Sequence, residues 1–281
     1  MPTSHFQLPT PNPIAFIGGG NMARSLIVGL LADGADAASI RVAEAITESR
    51  DAIACDFGVP VFALSTDAVA GASIWLLAVK PQVMRSVCEA LSEVALRDRP
   101  LIVSIAAGVT TTQLDRWLGG GIAIVRTMPN IPALLGAGVT ALYANPQVDA
   151  IGRQRAEHLL TAAGKTLWLS DETMMDAVTA VSGSGPAYVF LLAEAMLDAA
   201  LAEGLAPDAV RTLVLQTVLG AARMLTEEDA TPAELRRRVT SAGGTTQAAI
   251  ELLAAGGFGA LVERAIHAAS ERGRQLSAAN D

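Results

Sequence analysis

The fold is decided by a stretch near the start of the chain, Pro13-Ile14-Ala15-Phe16-Ile17-Gly18-Gly19-Gly20-Asn21-Met22-Ala23. Its first part is a short apolar run, residues 14–17, which predicts a buried strand, and residues 21–31 predict a helix. Between the two, Gly18, Gly20 and Ala23 match the G-x-G-x-x-G/A fingerprint of dinucleotide-binding sites. The stretch therefore predicts a strand, a tight turn and a helix that together hold a nucleotide.

Each fingerprint residue has its own physical task. Gly18 makes the tight turn, Gly20 lets a pyrophosphate approach the backbone, and Ala23 allows the helix to pack closely on the strand. The diphosphate is expected on the free N–H groups at the start of the helix. Glycines also mark ordinary turns, but the flanking strand and helix favour a nucleotide site. The predicted cofactor-binding residues of this turn are Gly18, Gly19, Gly20, Asn21 and Met22.

The composition restricts the class of protein. The chain has 281 residues, of which 51% are hydrophobic and 4% aromatic, enough apolar material for two globular domains. A net charge of −8 disfavours nucleic acid and anionic membranes as partners. The two cysteines, Cys55 and Cys88, have no metal-binding spacing, so no metal is predicted, and they fit a reducing cytoplasm.

The termini and apolar runs give no targeting signal. Residues 1–12 are polar with three prolines and lack the order of a signal peptide, so we expect a flexible N-terminal arm. No uninterrupted apolar run reaches the ~18 residues that suggest a membrane span. The longest candidate, residues 187–202, is interrupted by Glu194 and Asp198. No membrane association is predicted.

The first half alternates short apolar runs with helical stretches, which predicts a mostly parallel sheet covered on both faces. After Ser170 no convincing strand follows. The predicted fold class is α/β, with a doubly wound Rossmann domain at residues 13–170 and an all-helical dimerisation domain at residues 171–281. The predicted strands are residues 14–17, 40–43, 61–63, 74–79, 101–105, 122–127, 138–143 and 166–169.

Glu44 ends the second predicted strand, about 20 residues after the glycine turn, where a carboxylate accepts the hydroxyls of the adenosine ribose. Such a carboxylate repels a 2′-phosphate, and the alternative is a solvated surface residue. No arginine follows directly, since Arg50 lies six residues on. The cofactor is therefore predicted to be NADPH or NADH, with Glu44 favouring acceptance of NADH.

Loops after the later strands fall on the same sheet edge, where open α/β sheets bind ligands. Small residues there leave room for a cofactor, although they also suit tight strand–helix turns. A rigid loop with two prolines follows the sixth strand. The cofactor residues predicted beyond the glycine turn are Glu44, Ser65, Ala78, Val79, Lys80, Pro81, Ala106, Ala107, Gly108 and Asn130.

The helical half contains two long apolar stretches, residues 186–203 and 207–225, which a domain of ~110 residues cannot cover alone. We infer a homodimer. Thr231 to Glu234 form a capping box with proline at the first helical position. The arginines at 236–238 are interpreted as a solvated face.

A second glycine turn, residues 240–246, opens a helix predicted from Gln247. Its backbone N–H groups and the helix dipole suit a small anion such as a carboxylate, and the alternative is an ordinary helix cap. The substrate-binding residues predicted here are Ser241, Gly243, Gly244, Thr245 and Thr246.

Read together in order and spacing, these motifs closely resemble the pyrroline-5-carboxylate reductase family over residues 13–275. The segments Ser182–Tyr188 and Gly243–Thr246 are specific to that family, whereas the glycine fingerprint is not. The resemblance rests on Phe16-Ile17-Gly18-Gly19-Gly20-Asn21-Met22-Ala23, Ala78-Val79-Lys80-Pro81, Ala106-Ala107-Gly108, Met128-Pro129-Asn130, Ser182-Gly183-Ser184-Gly185-Pro186-Ala187-Tyr188 and Gly243-Gly244-Thr245-Thr246.

The resemblance implies reduction of a cyclic imine to proline and a helical domain that interlocks with its twin. It also implies assembly of dimers into larger rings, often pentamers of dimers. It implies that the turn from Ser241 to Thr245 holds the substrate carboxylate and that Thr246, the predicted catalytic residue, hydrogen-bonds the ring nitrogen. Three positions depart from the family pattern. This chain has Ala242 where the family usually has proline, Ile131 where threonine is common, and Ser65 where many members have asparagine.

The chemistry needs little acid–base machinery, because the cofactor supplies the hydride. No His or Cys lies in these loops, so Thr246 with water as the proton source fits. One alternative is a related imine or hydroxyacid reductase, whose usual catalytic lysine is missing, since no lysine follows Lys165. Another is a non-catalytic dinucleotide-binding redox sensor, which leaves the second glycine turn without a role.

Overall fold

The structure, a computed structural model, describes residues 13–279, so the predicted arm at 1–12 lies outside the described residues. Packing divides the chain into two compact units, residues 13–183 with 269–279, and residues 184–268. The packing division falls after Gly183 rather than after Ser170 because the intervening segment is bonded to the sheet domain through Glu172 and Ser182. The domain boundary at residue 170 stays a prediction.

An eight-stranded sheet forms the centre of the first unit, in the order β3-β2-β1-β4-β5-β6-β7-β8. All neighbouring strands are parallel except β6 and β7, which are antiparallel. The predicted mostly parallel sheet is confirmed. The strands are β1 (Ile14–Ile17), β2 (Ile40–Ala43), β3 (Val61–Phe62), β4 (Ile74–Leu77), β5 (Leu101–Ser104), β6 (Ile124–Met128), β7 (Gly138–Ala144) and β8 (Gly164–Trp168).

Helices cover both faces of the sheet. One apolar core contains Phe16, Leu26 and Leu76, and the other, on the opposite face, contains Trp75 and Met84. Because both faces are buried, β1, β4 and β5 consist of continuous buried runs instead of alternating patterns. The helices are α1 (Asn21–Ala32), α2 (Thr47–Phe57), α3 (Ser65–Val69), α4 (Pro81–Asp98), α5 (Thr111–Trp117), α6 (Ala150–Thr161) and α7 (Met175–Val178).

The second unit is helical, and no strand occurs between residues 169 and 279. Its α11 begins two residues earlier than the predicted Gln247, and the capping box of Thr231 and Glu234 is present. The last helix begins in this unit and ends in the first. The helices are α8 (Gly185–Ala202), α9 (Pro207–Glu227), α10 (Pro232–Arg238), α11 (Thr245–Ala255) and α12 (Phe258–Ala278).

The second unit buries little of its apolar surface. Its hydrophobic core cluster contains Ala193, Val210 and Val214 as buried residues, and Leu235 on α10 is buried outside that cluster. On α8, Phe190 and Leu191 are 63% and 66% exposed. The helical stretch Glu172–Ala202 is long and apolar enough to cross a membrane by length and composition alone. A contiguous apolar surface of this kind marks an interaction face.

The cysteines differ in environment. Cys55 is exposed and Cys88 is buried, and both are free thiols. Burial, and to a smaller extent the neighbouring Glu89 carboxylate, raises the pKa of the Cys88 thiol to about 12. Cys88 is therefore a protonated core residue at neutral pH. Within residues 13–279, no group of three His, Cys, Asp or Glu side chains could hold a metal ion.

Candidate active site

The strand register brings the predicted cofactor loops to one edge of the sheet. Ile17 pairs with both Ala43 and Leu77, and Leu77 pairs with Ser104. The last residues of β1, β2, β4 and β5 are therefore side by side. The loops that follow them leave from the carboxyl edge, the usual ligand-binding edge of an open α/β sheet.

The glycine turn after β1 is closed on one side and open on the other. Gly18 has φ +102° and donates its N–H to the Ala43 carbonyl at 2.9 Å. A Cβ on Gly18 would lie 2.7 Å from the Ala78 carbonyl oxygen, so the turn touches the loop after β4. At exposed Gly20, directly before α1, a Cβ would have nothing within 4 Å. The open side suits an approaching pyrophosphate at the start of the helix.

Glu44 is part of this turn. One carboxylate oxygen accepts the Gly19 N–H and the other accepts the Ile46 N–H, both at 3.0 Å. A Cβ on Gly19 would collide with Ile53 Cδ1 and crowd the Glu44 carboxylate. The carboxylate is thus fixed at the end of β2, instead of rotating freely as a solvated surface residue would.

Arg50 lies closer to this edge than its sequence position suggests. Its Nη1 donates to the Glu44 carbonyl at 2.9 Å, and its Nη2 donates to the Thr47 hydroxyl at 3.2 Å. The first turn of α2 folds the guanidinium back over the end of β2. A cation is therefore placed at the Glu44 backbone, at the end of β2, although no arginine follows the strand directly.

Arg24 is a residue that the sequence analysis missed. From the first turn of α1 it donates to the Gly19 carbonyl at 3.2 Å, to the Ser49 carbonyl at 3.2 Å and to Asp56 at 3.1 Å. It ties the glycine turn to α2. In the sequence, Arg24 is a cation about one helical turn after the last glycine of the nucleotide fingerprint, and that position could have indicated its role.

The loops after β4 and β5 complete this edge. Ala78 continues the pairing by donating its N–H to the Ile17 carbonyl at 2.8 Å, and exposed Lys80 caps α4, which begins at Pro81. Gly108 is buried, and a Cβ there would lie 3.3 Å from Leu276 Cβ near the end of α12. The remaining predicted residues of this edge, Ser65, Val79, Ala106 and Ala107, are half-buried or buried.

Both polar atoms of the Asn130 side-chain amide are hydrogen-bonded within the protein. Its Nδ2 donates to the Ser182 carbonyl at 3.2 Å, and its Oδ1 accepts the Val139 N–H at 2.9 Å. Ser182 belongs to a π-helical turn, Thr179–Gly183, and such turns are frequent at functional sites. These bonds indicate that Asn130 positions the loop after β6, and its contact with a cofactor stays a prediction.

A buried ion pair, which the sequence analysis also missed, fixes the start of α5. Glu172 accepts from the Thr111 N–H at 2.8 Å and from the Thr111 hydroxyl at 2.6 Å. Arg126, whose side chain is 3% exposed, donates to Glu172 at 3.1 Å. The helix α5 follows the Ala106–Gly108 loop along the chain. This ion pair therefore fixes the position of the helix start that follows the loop.

The second glycine turn lies in the second unit. Gly243 has φ +72°, and Gly244 donates its N–H to the Ser241 carbonyl at 3.1 Å. The Gly243 N–H donates to the Gln247 side chain at 2.7 Å. A Cβ on Gly244 would lie 2.5 Å from Ser241 Oγ and 3.1 Å from the Ser241 carbonyl oxygen, so a side chain there would crowd the turn.

The first residues of α11 leave donors free. Among residues 13–279, no acceptor bonds the N–H of Thr245 or Thr246, or the Thr246 hydroxyl. Thr245 is exposed, Thr246 is half-buried, and the first turn of α11 contains no acidic residue. Free N–H groups at the positive end of a helix dipole suit an anionic ligand.

A parallel sheet with a glycine turn at its carboxyl edge, followed by a helical unit, defines an NAD(P)-dependent oxidoreductase. Residues 13–108 match the family described as NADP oxidoreductase coenzyme F420-dependent, and residues 172–276 match pyrroline-5-carboxylate reductase dimerisation. The chain is 53% identical to the pyrroline-5-carboxylate reductase of Pseudomonas aeruginosa over 94% of this chain and 96% of that protein. It belongs to the pyrroline-5-carboxylate reductase family.

Other relatives support the same family assignment. The enzyme of the same name from Haemophilus influenzae is 43% identical, over 94% of this chain and 97% of that one. A solved pyrroline-5-carboxylate reductase from Coxiella burnetii is 41% identical, with a TM-score of 0.90 over 95% of this chain and 99% of that chain. The Plasmodium falciparum enzyme, solved with NADP bound, is 26% identical, with a TM-score of 0.84 over 95% and 98%.

Proposed function

We propose that this chain reduces 1-pyrroline-5-carboxylate to L-proline with hydride from a reduced nicotinamide dinucleotide, the last step of proline synthesis. The observation that carries the proposal is the glycine turn at residues 241–246, with its free N–H groups and free Thr246 hydroxyl. A cyclic imine with a carboxylate offers one anionic group and one ring nitrogen. The free N–H groups of the turn match the carboxylate, and the free Thr246 hydroxyl matches the ring nitrogen.

The proposed roles follow from these donors. Ser241, Gly243, Gly244 and Thr245 surround the substrate carboxylate, and the Thr246 hydroxyl orients the ring nitrogen. The Gly243 and Gly244 N–H groups are engaged within the turn, so the free N–H groups of Thr245 and Thr246 are the donors to the carboxylate. The cofactor supplies the hydride, and the protein supplies placement and polarity. Fixing the imine carbon against the nicotinamide lowers the barrier by several kcal/mol, on the order found for well-oriented reactants. Water donates the proton, because no His or Cys lies in these loops.

The test is oxidation of reduced nicotinamide by purified, folded protein with pyrroline-5-carboxylate, against hydroxyacid and no-substrate controls. Turnover with the imine alone supports the proposal. Turnover with a hydroxyacid instead indicates the related-reductase alternative. Cofactor binding without any turnover indicates a redox sensor and contradicts the proposal.

We propose that NADH is used at least as well as NADPH. The Glu44 carboxylate, fixed by two backbone amides, stands where the adenosine ribose is expected and repels a 2′-phosphate. Arg50 offers an opposing cation, so we expect a small preference rather than exclusion. The measurement is the ratio of kcat/KM for the two reduced cofactors, with Glu44→Ser expected to shift it toward NADPH and Arg50→Ala toward NADH.

A tenfold or greater preference of the unmodified protein for NADPH, about 1.4 kcal/mol, would contradict the Glu44 proposal. In that case the attraction between Arg50 and the 2′-phosphate exceeds the repulsion by the Glu44 carboxylate. Arg50→Ala should then remove most of the preference for NADPH. An unchanged ratio in Glu44→Ser would show that the carboxylate serves only the glycine turn.

We propose a homodimer formed through the exposed apolar faces of the helical unit, with pentamers of dimers as the larger assembly. The protein should sediment as a dimer or a multiple of it at micromolar concentration. Leu191→Arg, on the exposed face of α8, should shift it toward smaller species. Leu135→Arg is the matched control, since that leucine is 86% exposed but lies in the first unit. A monomeric unmodified protein would contradict the proposal.

We propose a cytoplasmic location from the state of the cysteines. Free thiols at Cys55 and Cys88 fit a reducing compartment.

A further inference from the structure

Arg24 lies in the first turn of α1, where the helix dipole does not favour a cation. Negative charge is stabilised at a helix N-terminus and positive charge at a C-terminus. Its ion-pair partner is Asp56 of α2 at 3.1 Å, whose side chain is 53% exposed. Ion pairs that are open to solvent add little to stability. Helix stability therefore does not explain why an arginine occupies this position.

The Arg24 guanidinium instead holds the backbone of the glycine turn. Its Nε donates to the Gly19 carbonyl at 3.2 Å. The N–H of the same glycine donates to the Glu44 carboxylate at 3.0 Å. Gly19 is buried, and both of its backbone polar groups are thus bonded to side chains. Two side chains of opposite charge fix the peptide units on either side of this glycine.

The second of these peptide units leads into Gly20. No cis peptide bond occurs within residues 13–279, and in a trans unit the C=O and the N–H point in opposite directions. Because the Gly19 carbonyl points to Arg24, the Gly20 N–H points away from it. Gly20 is exposed, and its N–H has no acceptor in the part of the chain that the structure describes. This donor is free to bond a ligand in front of α1.

The charge of Arg24 acts on the same peptide unit, because linked hydrogen bonds polarise and strengthen one another. We propose that Arg24 is a positioning residue for the cofactor. It holds the Gly19–Gly20 peptide so that the Gly20 N–H donates to the pyrophosphate. The inference rests on the proposed use of a nicotinamide dinucleotide. NADH and NADPH share the pyrophosphate, so Arg24 raises the affinity for both alike, whereas Glu44 and Arg50 affect their ratio.

The test is the dissociation constant, Kd, of NADH and of NADPH, each measured by fluorescence titration without substrate. Arg24→Met keeps the aliphatic stem beside Phe57 and loses every donor. It should raise both Kd values at least about fivefold, as expected for loss of one hydrogen bond, and by factors that agree within twofold. Arg24→Lys keeps a charged donor and should have a smaller effect. The kcat at saturating cofactor should change less than twofold in both variants.

Asp56→Asn is the matched control, because it removes the ion pair of Arg24 and leaves the bond to Gly19 in place. It should change either Kd less than twofold. Unchanged Kd values in Arg24→Met would overturn the proposal, and so would an equal loss of affinity in Asp56→Asn. Weaker binding of NADPH alone would also overturn it, since the guanidinium would then bind the 2′-phosphate directly.

Two further results separate this inference from folding and from the proposed reaction. Circular dichroism and the melting temperature without ligand identify a variant that does not fold, and Arg24→Lys then decides. If the unmodified protein binds neither dinucleotide, the role of Arg24 is overturned. If it binds both and does not reduce the imine, only the proposed reaction is contradicted, because the Kd values require no turnover.

Discussion

Gly20→Ala is expected to leave the fold intact and to raise the KM for the nicotinamide cofactor at least tenfold. A Cβ at Gly20 meets no atom of the protein within 4 Å, and the residue has φ −70° and ψ 179°, which alanine adopts without strain. The methyl group would instead occupy the space in front of the α1 N-terminus. That space is where the pyrophosphate approaches the backbone.

Gly18→Ala is the contrasting variant of the same turn. Its Cβ would lie 2.7 Å from the Ala78 carbonyl oxygen, and φ +102° alone costs about 1–3 kcal/mol in a residue with a side chain. This variant should lose thermal stability as well as cofactor binding. The checks are the melting temperature without ligand and the KM for the cofactor. A Gly20→Ala enzyme with normal KM would place the pyrophosphate elsewhere.

Thr246→Ala is expected to lower kcat about 10- to 100-fold while leaving cofactor affinity nearly unchanged. A hydrogen bond to a charged group contributes about 1.5–3 kcal/mol, which corresponds to this range of rates. The Thr246 hydroxyl has no partner within residues 13–279, so its loss breaks no bond in the fold. Steady-state kinetics with varied imine and fluorescence titration of the cofactor give the two quantities.

Thr246→Ser and Thr245→Ala are the controls. Serine keeps the hydroxyl and should remain within about threefold of the unmodified rate. Thr245 is proposed to act through its N–H, so Thr245→Ala should be close to normal. Full activity of Thr246→Ala, or loss of cofactor binding alone, would move the site away from this threonine.

The sequence by itself determined the class of fold and the family. Strands β1 and β2 begin and end at the predicted residues, and the capping box of Thr231 and Glu234 forms as expected. These features depend on neighbours along the chain: a continuous apolar run, a proline after a threonine, or a glycine with positive φ. Because such features depend only on residues that are adjacent in the sequence, they can be predicted from it directly.

Tertiary structure decided the contacts between distant segments. The Glu44 carboxylate bonds Gly19 across 25 positions, and Glu172 bonds Thr111 across 61. The return of Arg50 to the end of β2 belongs to the same class. Such contacts depend on which strands become neighbours and which helix face meets them. Because spacing along the chain does not encode those distances, only the folded arrangement shows which side chains are paired and which remain free.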